Sequence, residues 1–228
     1  MKPGSALLMS LPKLSESIIR AGASAKPLAR SGPSVDNMRV PQLLTWLAEG
    51  NLTSDGFANE VVRLVSANPH LLSELIEGLH ASNEALRGHT ADALEKLARS
   101  HPEAVERFLP DLIRAATEDP VPMVRWHMAM TLGHLSIFTD HVPELAEPLF
   151  FLLRDGTVIT KCWAIVSLCI LARQYPELVE RTITAIAPLN RSASAALRSK
   201  VHAALELLAN PKAPFPKGWV KSNRLQHL

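Results

Sequence analysis

At 228 residues, with 47% apolar and only 5% aromatic side chains, the chain can bury a sizeable core and is too apolar for a disordered protein. The net charge is +2, but residues 1–35 and 211–228 each carry +4 and the middle carries −6. An acidic body with basic ends argues against a nucleic-acid cradle, whose groove must neutralise phosphates. The longest apolar stretch, Cys162 to Ala172, is too short to span a membrane.

Residues 1–36 are rich in Ser, Ala, Pro and Gly and are expected to form a disordered basic tail. Ala6 to Leu11 is too short for a secretory signal and is followed by Lys13, while Pro12 argues against an amphipathic targeting helix over Leu7 to Ile19. The expected location is cytoplasmic, and Cys162 and Cys169 fit a reducing compartment. Seven residues apart on one helix, they would lie about 10 Å from each other, too far for a bridge.

A helical repeat domain is expected over 37–210. It opens with a short, degenerate hairpin, Pro41-QLLTWLAEG and Phe57-ANEVVRLVSA, with Gly50-Asn51 stopping its first helix and Asp55 capping its second. Four longer segments then superpose: Arg87-GHTADALEKLA, Arg125-WHMAMTLGHLS, Lys161-CWAIVSLCILA and Arg198-SKVHAALELLA. The leading basic residue recurs after 38, 36 and 37 positions. Seven residues after it stand Leu94, Leu132, Leu168 and Leu205, and ten after it Leu97, Leu135, Leu171 and Leu208. These offsets share one helical face, so each segment is a helix with a fixed buried stripe. The position six residues on is always small: Ala93, Thr131, Ser167, Ala204. Between them lie first helices, opened by Pro69-His70, Pro102-Glu103, Pro143-Glu144 and Pro176-Glu177. Proline suits the first turn of a helix, and a glutamate there answers the dipole.

A hairpin unit of this length and grammar resembles the HEAT repeat family, closely over 69–209 and more loosely over 38–67. Asp119 stands six residues before Arg125 and Asp155 six before Lys161, the spacing of the family's turn aspartate and second-helix base. Ala81 and Ser192 stand where the other two units would carry the aspartate. The resemblance implies an all-α, right-handed solenoid of stacked antiparallel hairpins. It also implies that Asp119, Arg125, Asp155 and Lys161 link neighbouring repeats.

Catalytic signatures are missing from the sequence. It has no Gly-rich phosphate loop, G-x-S-x-G elbow, H-E-x-x-H or cysteine zinc pair. Di-iron hydroxylases of HEAT-like architecture need His-Glu pairs, and none of the nine histidines is followed by glutamate. HEAT-like alkylpurine DNA glycosylases place a catalytic aspartate on the inner wall, where Met130 and Val166 stand here. Bilin lyases of this fold bind tetrapyrroles, and no residue pattern here selects that chemistry. The expectation is therefore a scaffold for a protein or peptide partner, with no cofactor and no metal; a HEAT-like enzyme module, glycosylase-like or bilin lyase-like, is the alternative.

A helical wheel puts offsets 1, 2, 5, 8 and 9 opposite the leucine columns, on the face expected to be concave. The partner patch read from it is Trp126, His127, Met130, Trp163, Val166 and Ile170. The basic tail 211–228 is broken by prolines, with Phe215 and Trp219 expected to fold back on the last hairpin. Proteolysis is nevertheless expected to trim the chain to about 38–210.

Overall fold

In the computed structural model, residues 43–54 and 56–228 are described; the expected tail over 1–36 and the expected cap Asp55 lie outside them. Helix α1 (Leu43–Leu47) ends at Gly50, which takes the left-handed φ of +83° that a side chain would strain, as the sequence indicates for a helix stop. Helix α2 (Ala58–Ala67) follows, and its Val61 and Val65 are buried with Leu43 and Leu47 in a short first hairpin.

Four full hairpins come next. The first helices are α3 (Leu72–Glu77), the pair α5 (Pro102–Glu106) and α6 (Leu109–Glu118), α8 (Val142–Leu152) and α10 (Val179–Ile186). They are short or broken, flanked by tight 3₁₀ turns at 69–71, 78–80, 139–141, 176–178 and 187–191. The second helices are longer: α4 (Glu84–Ala98), α7 (Pro122–His134), α9 (Val158–Gln174) and α11 (Ala195–Ala209). Their starts obey local rules. Asn83 and Ser194 accept hydrogen bonds from the amides of Leu86 and Leu197, and Pro122 sits in the first turn of α7. No strand occurs among the described residues.

Consecutive second helices pack on one another, α4 on α7, α7 on α9 and α9 on α11, so they form one continuous layer. The leucine columns lie inside it. Leu94, Leu132 and Leu168 are fully buried, as are Leu171 and, to within a few per cent, Leu97 and Leu135. Leu205 is only half-buried, because α11 has no following second helix to cover it. The small residues at offset six let helices approach: Ser167 of α9 meets Gly133 of α7 and donates to the Ala129 carbonyl at 2.7 Å.

The basic residues that head the second helices tie units together. Arg87 donates to the Ala81 and Ser82 carbonyls of its own turn and to Asp119 of the next unit at 2.7 Å. Asp119 also accepts from the Val121 amide, so one carboxylate shapes a turn and anchors the previous repeat. Arg125 pairs with Asp155 at 2.7 Å in the same way. In the unit after Lys161 the turn carries Ser192 instead of an aspartate, and Lys161 makes no ion pair among the described residues. Arg198 binds the Ser192 and Ala193 carbonyls of its own turn. The linking role therefore runs Arg87–Asp119 and Arg125–Asp155, and stops there.

The C-terminal segment departs from the expectation of a trimmable tail. Residues 211–228 lie against the repeats, with Trp219 6% exposed and Ser222 and Leu225 fully buried. Phe215 also packs against the apolar core.

Candidate functional site

The layer of second helices presents a wall made of the offsets facing away from the leucine columns. Each residue of the expected patch can be placed on it. Trp126 and His127 on α7 and Trp163 on α9 are half-buried, at offsets one and two from the head of each helix. Met130, Val166 and Ile170, at offsets five and nine, are 4%, 1% and 1% exposed and cannot meet a partner from the surface. The helical wheel treats each helix alone; in the stack the flanks are taken by neighbouring second helices and by the C-terminal segment, whose Trp219 and Leu225 join the same core. On α7 and α9 the part of the wall left partly open is its N-terminal edge.

The same offsets in the first full unit carry charge. Asp92 and Glu95 on α4 project beside His127 and His134 of α7, with Lys96 and Arg99 below them. Lys96 pairs with Asp92 at 2.8 Å, and His127 lies 3.5 Å from the same carboxylate. Glu95 is fully buried and is held by Arg99 and by His134 at 2.8 Å. Burial alone would raise the Glu95 pKa, but the hydrogen bonds from His134 and Arg99 and their charges outweigh it and hold the carboxyl at about 2. His127 is pushed down, mainly by burial, against the pull of Asp92 and Glu95. The His134 Nδ1 is buried and has no hydrogen-bond partner among the described residues. Sequence reasoning missed this cluster, although its signal was present: the wall offsets applied to the Arg87 helix read Gly88, His89, Asp92, Glu95 and Lys96.

The C-terminal segment crosses this wall. Arg173 at the end of α9 donates to the main-chain oxygens of Ala213 and Leu228 and lies over the Phe215 ring at 4.9 Å. Lys200 of α11 stands 4.4 Å from the Trp219 ring centroid, and Lys221 stands 4.5 Å from that of Trp163. Farther on, the Ser222 hydroxyl and the Asn223 amide both donate to the Arg99 carbonyl, and Arg224 pairs with Glu103. Burial lowers the pKa of both Lys200 and Lys221.

Other features carry less chemistry. Cys169 is buried and its thiol is pushed up to about 12 by burial, while Cys162 is half-buried and raised for the same reason. Neither thiol is poised as a nucleophile. A depression of about 370 Å³ on the first-helix side, lined by Glu147, Phe150, Phe151, Arg154 and Arg181, is internally satisfied: Arg181 pairs with Glu147 and lies over Phe150 at 3.9 Å. Among the described residues no cluster of His, Cys, Asp or Glu could hold a metal ion, and no helix is long and apolar enough to cross a membrane.

Comparison with known proteins bears on the fold more than on the wall. Residues 72–169 match the family model described as HEAT repeats. No curated protein matches the chain in sequence. Among solved structures, the complex of CpcE and CpcF of phycocyanin lyase from Nostoc sp. PCC7120 holds a chain 26% identical, with a TM-score of 0.57 over 72% of this chain and 96% of that one. A computationally designed armadillo repeat protein for modular peptide recognition is 17% identical, with a TM-score of 0.54 over 73% of this chain and 90% of that one. A designed armadillo repeat protein in complex with the peptide (KR)4 is 19% identical, with a TM-score of 0.50 over 76% and 78% of the two chains.

Proposed function

Since residues 72–169 of the chain are HEAT repeats, we propose that the stack is a binding scaffold whose partner is a protein or peptide docked on the wall of second helices. The observation that carries this reading is that the wall already holds a non-helical segment, its own residues 211–222, through aromatic rings and main-chain oxygens. A solenoid offers such a wall because each repeat adds surface without needing a new core. The half-buried Trp126 and Trp163 sit at its N-terminal edge, and tryptophan is over-represented among residues that dominate binding energy. The designed armadillo proteins, one made for modular peptide recognition and one in complex with a peptide, share the fold and make a peptide a natural occupant. No catalytic role is assigned to the chain on this reading.

The experiment is site-specific cross-linking in the native host. A photoactivatable side chain replacing Trp126 should capture a protein partner, whereas one replacing Phe151, exposed on the first-helix side, should not. Equal capture from both positions, or none from Trp126, would sink the proposal.

A second reading is favoured by one observation, the 26% identity to a chain of the phycocyanin lyase complex over 96% of that chain. On that reading the Glu95–His134 and Asp92–His127 pairs would serve a lyase-type subunit. It predicts a visible absorption change when the purified chain is mixed with a bilin; a featureless difference spectrum removes it.

A further inference from the structure

The C-terminal segment is bound by the wall as a ligand would be. Three prolines, Pro211, Pro214 and Pro216, keep it from joining a helix, and from 211 to 222 it runs as turns and irregular, non-helical chain. It reaches back to contacts 123 positions away in sequence, at Arg99. Its anchors are few and spaced. Trp219 is buried beside the Lys200 ammonium. Lys221, two residues on, lies over the Trp163 ring, and Leu225, six residues after the tryptophan, is fully buried. The remaining bonds mostly involve groups any peptide has: an amide donating to the Arg99 carbonyl, and main-chain oxygens accepting from Arg173.

We propose that residues 211–228 are an intramolecular ligand of the second-helix wall, and that the wall's partner is a non-helical segment of the same chemistry, a tryptophan followed by a lysine at two residues and a leucine at six. The proposal rests on the scaffold reading and deepens it by naming the partner's chemistry and its competitor. The charged contacts are not what fixes the segment. Arg224 and Glu103 are about half exposed, and exposed pairs contribute little. Around Lys221 the attraction of Glu95 and Asp92 is countered by Arg99 and Lys96, and burial opposes its charge. The docking therefore depends chiefly on the buried Trp219 and Leu225, supported by Phe215 beneath Arg173 and by Lys221 over Trp163, a set that a competing segment can reproduce. Tethering gives the segment an effective concentration in the millimolar range, so a partner arriving from solution meets an occupied wall.

The test uses a fluorescent synthetic peptide of residues 211–228 and three full-length proteins: wild type, Trp219→Ala with Leu225→Ala, and Lys221→Glu. The double variant should free the wall, and neither substitution lies on a wall helix. With an effective concentration of about 1 mM and a peptide Kd of about 10 μM, the peptide should bind it about 100-fold more tightly than wild type. Lys221→Glu keeps both apolar anchors and should give a smaller gain. Adding Trp163→Ala should reduce the gain, because it removes the ring beneath Lys221, and a peptide lacking the tryptophan and leucine should bind none of the proteins. Circular dichroism melting accompanies each protein. If both segment variants unfold, residues 211–228 are part of the fold and the proposal falls. It falls equally if folded variants bind no peptide, or no more tightly than wild type. Those outcomes leave the scaffold reading to the cross-linking from position 126. Peptide binding with no protein captured there sinks the scaffold reading and leaves the in-chain ligand standing.

Discussion

Replacing Glu95 with glutamine should destabilise the protein by about 3 kcal/mol at neutral pH and remove most of the acid sensitivity that the wall confers. The magnitude comes from the carboxyl itself. It is fully buried, and although burial opposes its charge, bonds from His134 and Arg99 hold its pKa at about 2 against an ordinary 4.5. A difference of that size corresponds to about 3 kcal/mol. The folded value lies below the unfolded one, so this contribution is complete above about pH 4.5 and is lost as pH falls toward about 2. The amide cannot ionise, and it leaves Arg99 facing a neutral group in a part-buried site, a loss comparable to the 3–5 kcal/mol typical of breaking a buried pair. Urea denaturation followed by circular dichroism, repeated from pH 7 to pH 2.5, measures both effects. Wild type should lose stability steeply below pH 4.5, and Glu95→Gln should be weaker at pH 7 but flatter below it. A variant within about 0.5 kcal/mol of wild type at pH 7, the range of an ordinary surface change, would refute the reasoning. So would an acid limb as steep as that of wild type.

Gly133→Ala should cost about 1–3 kcal/mol despite its better helix propensity, because the new Cβ would meet the Ser167 Cβ at 2.8 Å and its Cα at 3.2 Å. Ser167→Gly in the same chain should recover much of that in a denaturation series, and no recovery would misplace the contact between α7 and α9. Leu132→Ala and Leu168→Ala should each cost about 2–5 kcal/mol, since both are fully buried. Trp126→Ala, at a half-buried position, should cost clearly less in the same assay, and an equal loss would make that tryptophan part of the core.

The parts of the fold that were legible in the sequence are those set by neighbours within one helix or one turn. The leucine columns and the small residues at offset six act over fewer than a dozen positions and mark α4, α7, α9 and α11 directly, and Gly50 marks the stop of α1 in the same way. The Asp119 and Asp155 spacing was legible for the same reason, through the resemblance to a repeat consensus. Less was legible of the wall. Met130, Val166 and Ile170 are apolar whether they face a partner or a neighbouring helix, so a helical wheel cannot separate the two cases. The C-terminal segment was harder still. Its prolines say that it is not helical, but its place is set by Arg99 and Arg173, which lie far away in sequence and share only their position twelve residues after Arg87 and Lys161. Phe215 and Trp219 do fold back, as their size and apolar character indicate, but the segment goes on past the last hairpin to α4.

The return of the chain from α11 to Arg99 changes how the repeats share stability. In an ordinary solenoid each unit touches only its neighbours, so the energy is a sum of local terms and folding can begin anywhere and end anywhere. Here Ser222 and Asn223 bond a residue of the first full unit, and Leu225 is fully buried only after that return is made. The arginine–aspartate links join the first three full units and stop before the fourth, so the strap supplies a long-range tie between the fourth unit and the first. Deleting a hairpin at one end should then be felt at the other, and melting should follow one collective transition instead of fraying from an edge. The loop closure needed to form the strap raises contact order, which slows the last stage of folding relative to a stack without it.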